Sequence, residues 1–255
     1  IKGETRAPAV AAAARPDREI PVRGLRRRIA RQTEEASRRI PHFTYVEEID
    51  VTELTRLRAV LNRQPGNAPQ LQLLPFLAVA VCRALESFAR LNAHYDEGRG
   101  VITQFGQVNL GIATQTPAGL MVPVIHGAQG LDIWQLAMAI ARLAAEAREG
   151  RIAAAELTGS TITISSLGKL GGIAATPIIN RPEVAVLAPN RVVERPVWTA
   201  HGVEPRQLMN LSISCDHRVV DGYDAAAFVQ AIKTLIETPA LLFVRGAEGR
   251  GANLP

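Results

Sequence analysis

Apolar positions along the chain follow two rhythms, one of period 3.6 and one of period 2, and the change between them divides the sequence. Leu25, Ile29, Thr33, Ala36 and Ile40 recur at helical spacing, and Pro41 ends the run because the residue before a proline is pushed out of the helical region. Residues 42–51 then read as a strand. Thr52 is placed to cap a helix through Leu54, Leu57 and Leu61 that closes at the Pro65-Gly66 turn. Residues 75–91 are mostly apolar, which predicts a helix buried on several sides. Beyond Asn92 the pattern turns to strands: Asp96-Glu97-Gly98-Arg99-Gly100 reads as a turn between two short ones, and 108–114 and 120–125 carry strand-forming residues. Asp132 caps an amphipathic helix with Leu136, Ile140 and Leu143 that closes at Gly150. Three strand-like runs follow, 161–165, 184–188 and 208–214, and a last helix over about 225–236 ends before Pro239. Helices at both ends with strands between them predict a single mixed α/β domain without a fixed-period repeat. Gly168, Gly171 and Gly172 lack both the G-x-G-x-x-G spacing and the G-K-[ST] ending of phosphate loops, so a doubly wound nucleotide fold is not supported.

Composition changes this picture in three places. The first sixteen residues hold Ala7-Pro8-Ala9 and the run from Ala11 to Ala14 with little to bury, so 1–17 reads as a flexible linker and 18–255 as the folded domain. No stretch approaches the ~20 uninterrupted apolar residues that span a bilayer, so a soluble protein with no membrane partner is expected. Cys82 and Cys215 form neither a metal-ligand spacing nor a disulfide framework, which fits a reducing, cytoplasmic setting. The net charge of +5 comes mainly from arginines gathered at Arg23, Arg26, Arg27, Arg28, Arg31, Arg38 and Arg39. Glu34 and Glu35 interrupt that cluster and no aromatic residues interleave it. A solvated helix face, a patch pairing with a neighbouring subunit's carboxylates, or a contact for a polyphosphate ligand is therefore expected rather than nucleic-acid binding.

The candidate chemistry lies in Ser212-Ile213-Ser214-Cys215-Asp216-His217-Arg218-Val219-Val220-Asp221-Gly222, where a histidine and two acids stand between an apolar strand and an amphipathic helix. Such junctions display catalytic side chains. An imidazole there suits thiol chemistry, since a thiol with pKa near ~8.5 is mostly protonated at neutral pH and only the thiolate attacks well. A neutral His217 can take the proton during attack, and the oxyanion that follows needs a donor. Ser165 or Ser166 could supply one, though Ser-Ser shortly before Gly168 fits turn chemistry equally well. His217 with Asp221 could instead be a metal pair, but His42, His94, His126 and His201 complete no ligand motif, so no metal is expected. A Ser-His-Asp hydrolase would want a G-x-S-x-G elbow, which is missing. Cys215 as an acyl carrier would share a face with His217 only if the strand ran on through Asp216; it is read as a core residue.

The stretch from Asp216 to Gly222 resembles the H-x-x-x-D-G signature of the dihydrolipoamide acyltransferases, relatives of chloramphenicol acetyltransferase. Gly159 to Gly168, Thr176-Pro177-Ile178-Ile179-Asn180 with Pro182-Glu183-Val184-Ala185, Ile40-Pro41-His42-Phe43-Thr44, and Asn109-Leu110-Gly111-Ile112-Ala113 with Gly119-Leu120-Met121-Val122-Pro123 are similar to further family blocks. The resemblance runs from about residue 20 to 245. Glu194-Arg195-Pro196, Met209-Asn210-Leu211-Ser212 and Glu237-Thr238-Pro239-Ala240 look most like the bacterial branched-chain type; the pyruvate and 2-oxoglutarate types share the catalytic blocks. It implies a mixed sheet flanked by helices and transfer of an acyl group between dihydrolipoamide and coenzyme A. His217 would be the base, Ser165 the oxyanion donor, and Asp221 would fix the His217 loop through an arginine. Arg58, Ser165, Ser166 and Asn190 match coenzyme A contacts by position, while Gln72 and Gln115 fall at two further contact positions but depart from the family's residues there. The resemblance also implies homotrimers, with His217 of one chain facing Ser165 of the next, assembling into an octahedral cube that serves dehydrogenase and dihydrolipoamide dehydrogenase components. Lys2, Lys169 and Lys233 lie in no Asp-Lys-Ala hairpin, so lipoamide would arrive on a separate lipoyl domain.

Overall fold

The computed structural model describes residues 15, 17–63 and 69–244, in the order α1 (Gly24–Arg39), β1 (His42–Asp50), α2 (Thr52–Leu61), α3 (Leu73–Leu85), β2 (Ala93–Asp96), β3 (Val101–Gln104), β4 (Leu110–Thr116), β5 (Gly119–Met121), β6 (Val124–Ile125), α4 (Ile133–Arg148), β7 (Ile162–Ser165), β8 (Ala185–Thr199), β9 (Gly202–Asp216) and α5 (Gly222–Glu237). The linker expected over 1–17 lies outside the described residues except for Arg15 and Asp17, and the Pro65-Gly66 turn lies wholly outside them.

Seven strands form one mixed sheet in the order β1-β9-β8-β7-β4-β5, with β6 also on β4, while β2 and β3 make a separate hairpin. β4, β7 and β8 run parallel to one another; β1, β9, β5 and β6 pair antiparallel. Side chains alternate between faces along a strand, so each strand serves two environments. On one face Leu110, Ile112, Ile162, Ile164, Leu187, Leu211, Ile213 and Cys215 are at most 5% exposed and join the core formed with α3, α4 and α5. The residues between them are small or polar: Gly111, Ala113, Thr163, Ser165, Ala188, Ser212 and Ser214. That second face is covered only in part, by a small apolar cluster of Ala36 and Ile40 with Ile179 and Val186.

Several boundaries differ from the sequence reading, each for a local reason. Val51, not Thr52, occupies the N-cap of α2; Asp50 Oδ1 accepts from the Thr52 amide, and the Thr52 hydroxyl accepts from Gln207 N–H. The helix read over 75–91 stops at Leu85, where the Glu86 and Ser87 amides turn back to carbonyls three residues earlier; Leu91 then packs from a separate 3-10 turn, Ala89–Leu91. Pro75 is tolerated in the first turn of α3, where its missing N–H would have had no helical partner. The 120–125 run divides into β5 and β6 at Val122-Pro123, since proline cannot donate to a ladder. Asp132 caps α4 through a reciprocal box with Gln135, as its position predicts. The largest surprise is the β8–β9 hairpin, fifteen residues on each arm where runs of five and seven were visible. Pro196 stands opposite Pro205 in its outer half, which adds nothing to the core, and there the strand formers Val192, Val193, Val197, Trp198 and Val203 are broken up by prolines and by Glu194, Arg195, Glu204 and Arg206.

Candidate active site

β9 delivers its last residue, Asp216, to the bottom of the open face, and the chain then turns into α5. Asp216 is 1% exposed; its carboxylate accepts from the Arg218 amide, from Arg218 Nε at 2.9 Å and from Arg218 Nη2 at 2.7 Å. The guanidinium also lies 4.7 Å from the centroid of Tyr95 and 3.5 Å from Glu97. These contacts hold the turn, and His217 stands exposed at its apex. Its amide donates to Pro41 O, and its ring packs 4.5 Å from Phe43 at an interplanar angle of 47°. Among the described residues the imidazole nitrogens have no hydrogen-bond partner in the chain, so the ring is placed by packing and left open to substrate. Asp221 occupies the N-cap of α5, where its carbonyl accepts from Ala225 N–H. Among the described residues Asp221 forms no ion pair, and the neighbouring Arg218 is committed to Asp216.

Ser165 ends β7 on the same open face, half-buried, beside Ala113 of β4 in register. It lines a cleft of about 820 Å³ together with Ala113, Val122, Thr163, Val186 and Phe105, closed on one side by residues 177–182 and on another by His94 and Tyr95. Of the residues proposed from sequence, only Ser165 lines this cleft. Ser166 accepts from the Gly168 amide, which is the turn chemistry its position allowed. Asn190 is buried in the β8 bulge, its amide donating to Ala188 O, Asn210 O and Ser212 Oγ. Gln115 is exposed on β4, with its amide on Thr116 O. Arg58 and Gln72 sit near the junction of α2 and α3, which Asn62 ties to both backbone groups of Leu71.

Ser165 and His217 do not meet within one chain. Thr163 pairs with Val186 and Ala188 with Ser212, so Ser165 is level with Ser212, two strands across from β9. His217 lies five residues further along. At ~3.3 Å per residue and ~4.8 Å per strand, their backbones are on the order of 19 Å apart. Cys215 is no alternative nucleophile: fully buried, its thiol is pushed up to about 12 by desolvation, and it packs in the core as expected.

Three residues that tie the cleft together escaped the sequence reading. His42 donates from Nδ1 to Ile40 O and accepts the Ile179 N–H at Nε2, tying the cleft wall to β1. His94 donates from Nε2 to Ser160 O at 2.7 Å and lies edge-on to Phe105. Glu183 is 1% exposed and collects donors from Ser160, Thr163 and Asn180 on one oxygen. A single histidine or glutamate within a similar block gives no signal of such a role; only the convergence of distant segments does.

This fold, with a serine on an open sheet face and a histidine at a strand-to-helix turn, defines an acyltransferase-type α/β domain. The chain belongs to the 2-oxoacid dehydrogenases acyltransferase (catalytic domain) family, whose model matches residues 14–244. It is 56% identical over 226 residues to the lipoamide acyltransferase component of the branched-chain alpha-keto acid dehydrogenase complex of Pseudomonas aeruginosa strain PAO1, covering 88% of this chain and 53% of that protein. The chain thus spans about half the length of the curated relatives it matches. The dihydrolipoamide acetyltransferase of Azotobacter vinelandii, in whose catalytic mechanism the role of a serine, a histidine and an asparagine has been investigated, superposes with a TM-score of 0.85 at 32% identity, over 90% of this chain and 95% of that one. The cubic core of a pyruvate dehydrogenase multienzyme complex gives the same TM-score at 33% identity, with the same coverage of both chains. Chloramphenicol acetyltransferase, at 15% identity and a TM-score of 0.54 over 81% of this chain and 94% of its own, shares the fold.

Proposed function

We propose that the domain transfers a branched-chain acyl group between a dihydrolipoyl thiol and coenzyme A, and that each active site is shared by two chains. The observation that carries this reading is the placement of two complementary half-sites, Ser165 over a cleft and an open His217, at opposite ends of one sheet face. In the direction of coenzyme A acylation, His217 takes the thiol proton as sulfur attacks the thioester carbon. Ser165 Oγ–H of the adjoining chain donates to the oxyanion of the tetrahedral intermediate. The intermediate collapses by breaking the carbon–sulfur bond to the dihydrolipoyl group, whose sulfur takes the proton back from His217. Asp221 starts α5 and so fixes where the His217 turn ends.

The intervals separating Ser165, His217 and Asp221 equal those separating the serine, histidine and asparagine of the Azotobacter enzyme, with an aspartate in the last place. The likeness to the Pseudomonas protein supports the branched-chain assignment, and the likeness to a cubic core supports a trimer that builds an octahedral cube. Lipoamide would come on a separate lipoyl domain, and the dehydrogenase and dihydrolipoamide dehydrogenase components would be the partners. Arg58, Ser166, Asn190, Gln72 and Gln115 are the proposed coenzyme A side, Asn190 acting from within its bulge. Among the described residues no helix is long and apolar enough to cross a membrane; with two buried free thiols, a cytoplasmic setting fits this reading. The test is transfer to coenzyme A from isobutyryl-, acetyl- and succinyl-dihydrolipoamide in one assay. Isobutyryl should give the highest kcat/KM; a preference for acetyl or succinyl would move the assignment to the pyruvate or 2-oxoglutarate type, and no transfer from any donor would end it.

A further inference from the structure

Beneath Ser165 lies a cluster of polar side chains that the transfer reaction does not itself use. Glu183 Oε1 accepts from Thr163 Oγ1 at 2.8 Å, from Asn180 Nδ2 at 2.8 Å and from the Ser160 hydroxyl. Thr163 stands two residues before Ser165 on the same face of β7, and Asn180 belongs to the segment that walls the cleft; both line it. Gly111 makes room for this arrangement, since a Cβ there would come within 2.5 Å of Thr163 Oγ1 and 2.9 Å of Val122. Glu183 Oε2 is buried without any partner in the chain. We propose that Glu183 is a positioning residue for Ser165: through Thr163 and Asn180 it locks the end of β7 to residues 176–182, and so sets the oxyanion side of the cleft.

The protonation state of Glu183 follows from the same geometry. An ionised carboxylate with one bare oxygen in a dry site is costly, and burial pushes this carboxyl up to about 7 against the pull of its three hydrogen bonds. The groups facing it are Ser160 and Thr163 from β7 and its approach, Asn180 from its own segment and His94 across a β-bridge from β2, while Asp216 of β9 reaches the next residue, Val184, through its backbone amide. Asp216 is already paired with Arg218. Below about 7 the carboxyl is uncharged, and the anion that forms above it would oppose the negative charge that develops beside Ser165. The sign for stability is fixed too. Above about 4.5 the unfolded chain has lost this proton while the folded one keeps it, so stability falls as pH rises to about 7 and then levels.

This inference rests on the acyl-transfer reading, and the test separates the two. Wild type and Glu183→Gln are assayed for transfer to coenzyme A from pH 5.5 to 9, with thermal melts over the same range. The amide keeps the acceptor and cannot ionise. Wild type is expected to show a falling kcat limb near pH 7, absent in Glu183→Gln; KM for coenzyme A should match in both, and the variant's melts should lose the wild-type decline. Loss of all transfer by the wild type would sink the acyl-transfer reading, whereas a falling limb retained by Glu183→Gln would overturn only the role of Glu183. Should Glu183→Gln not fold, Thr163→Val, which removes one donor at nearly constant shape, is expected to lower kcat about tenfold at unchanged KM, and Thr163→Ser to restore it. Equal kcat in Thr163→Val and wild type would overturn the proposal.

Discussion

The His217 half of the site and the Ser165 half are built in opposite ways. The first is local. Asp216, His217, Arg218 and Asp221 are nearly consecutive, the turn is held by a carboxylate and guanidinium two residues apart, and Phe43, Pro41, Tyr95 and Glu97 support it from elsewhere. The second is assembled from β4, β7, β2 and residues 177–182, with Ser165 one polar side chain among many that shape a cleft. A local site can be moved by changing a neighbour, whereas an assembled one fails through its packing. Damage to the first should therefore read out as lost chemistry on an intact fold, and damage to the second as lost chemistry together with lost stability.

The largest effect expected is from His217→Ala, which removes the proposed base and should lower kcat by about 10²- to 10⁴-fold while the melting temperature stays that of wild type. A large drop in melting temperature would break the contrast. Ser165→Ala should follow, with kcat reduced by about 10²- to 10³-fold and little change in KM, as for loss of one oxyanion donor. Gly111→Ala should be milder in rate and marked in stability. Its Cβ would collide with Thr163 and Val122, costing about 1–3 kcal/mol on chemical denaturation and loosening the cleft floor. Wild-type stability in that variant would show that the Ser165 half tolerates movement and is less assembled than its contacts indicate.

The same contrast governs what could be read from sequence. His217 and Asp221 stood out because strand, polar turn and helix follow one another without a break, whereas the residues alone left Ser165 and Ser166 level at the end of a strand-like run and only the family resemblance favoured Ser165. Cys215 could be assigned to the core from its place in the apolar strand. Glu183, His42 and His94 could not be found this way, since each acts on a segment remote in sequence: Glu183 on Thr163, His42 on Ile179, His94 on Ser160. The outer β8–β9 hairpin was hidden because it adds nothing to the core and its strand formers are interrupted by prolines and charges. The arginine expected at Asp221 had no identity in the sequence, and the nearby Arg218 serves the buried Asp216.

Mixing two inactive variants tests the central claim most directly. His217→Ala and Ser165→Ala chains are unfolded together, refolded as mixed trimers and assayed for acyl transfer to coenzyme A. If each site takes its histidine from one chain and its serine from the next, about a quarter of the sites formed from an equal mixture contain both groups, and activity should return to about that fraction of wild type. A mixture as inactive as either variant alone, with mixed trimers demonstrably present, would contradict the shared site.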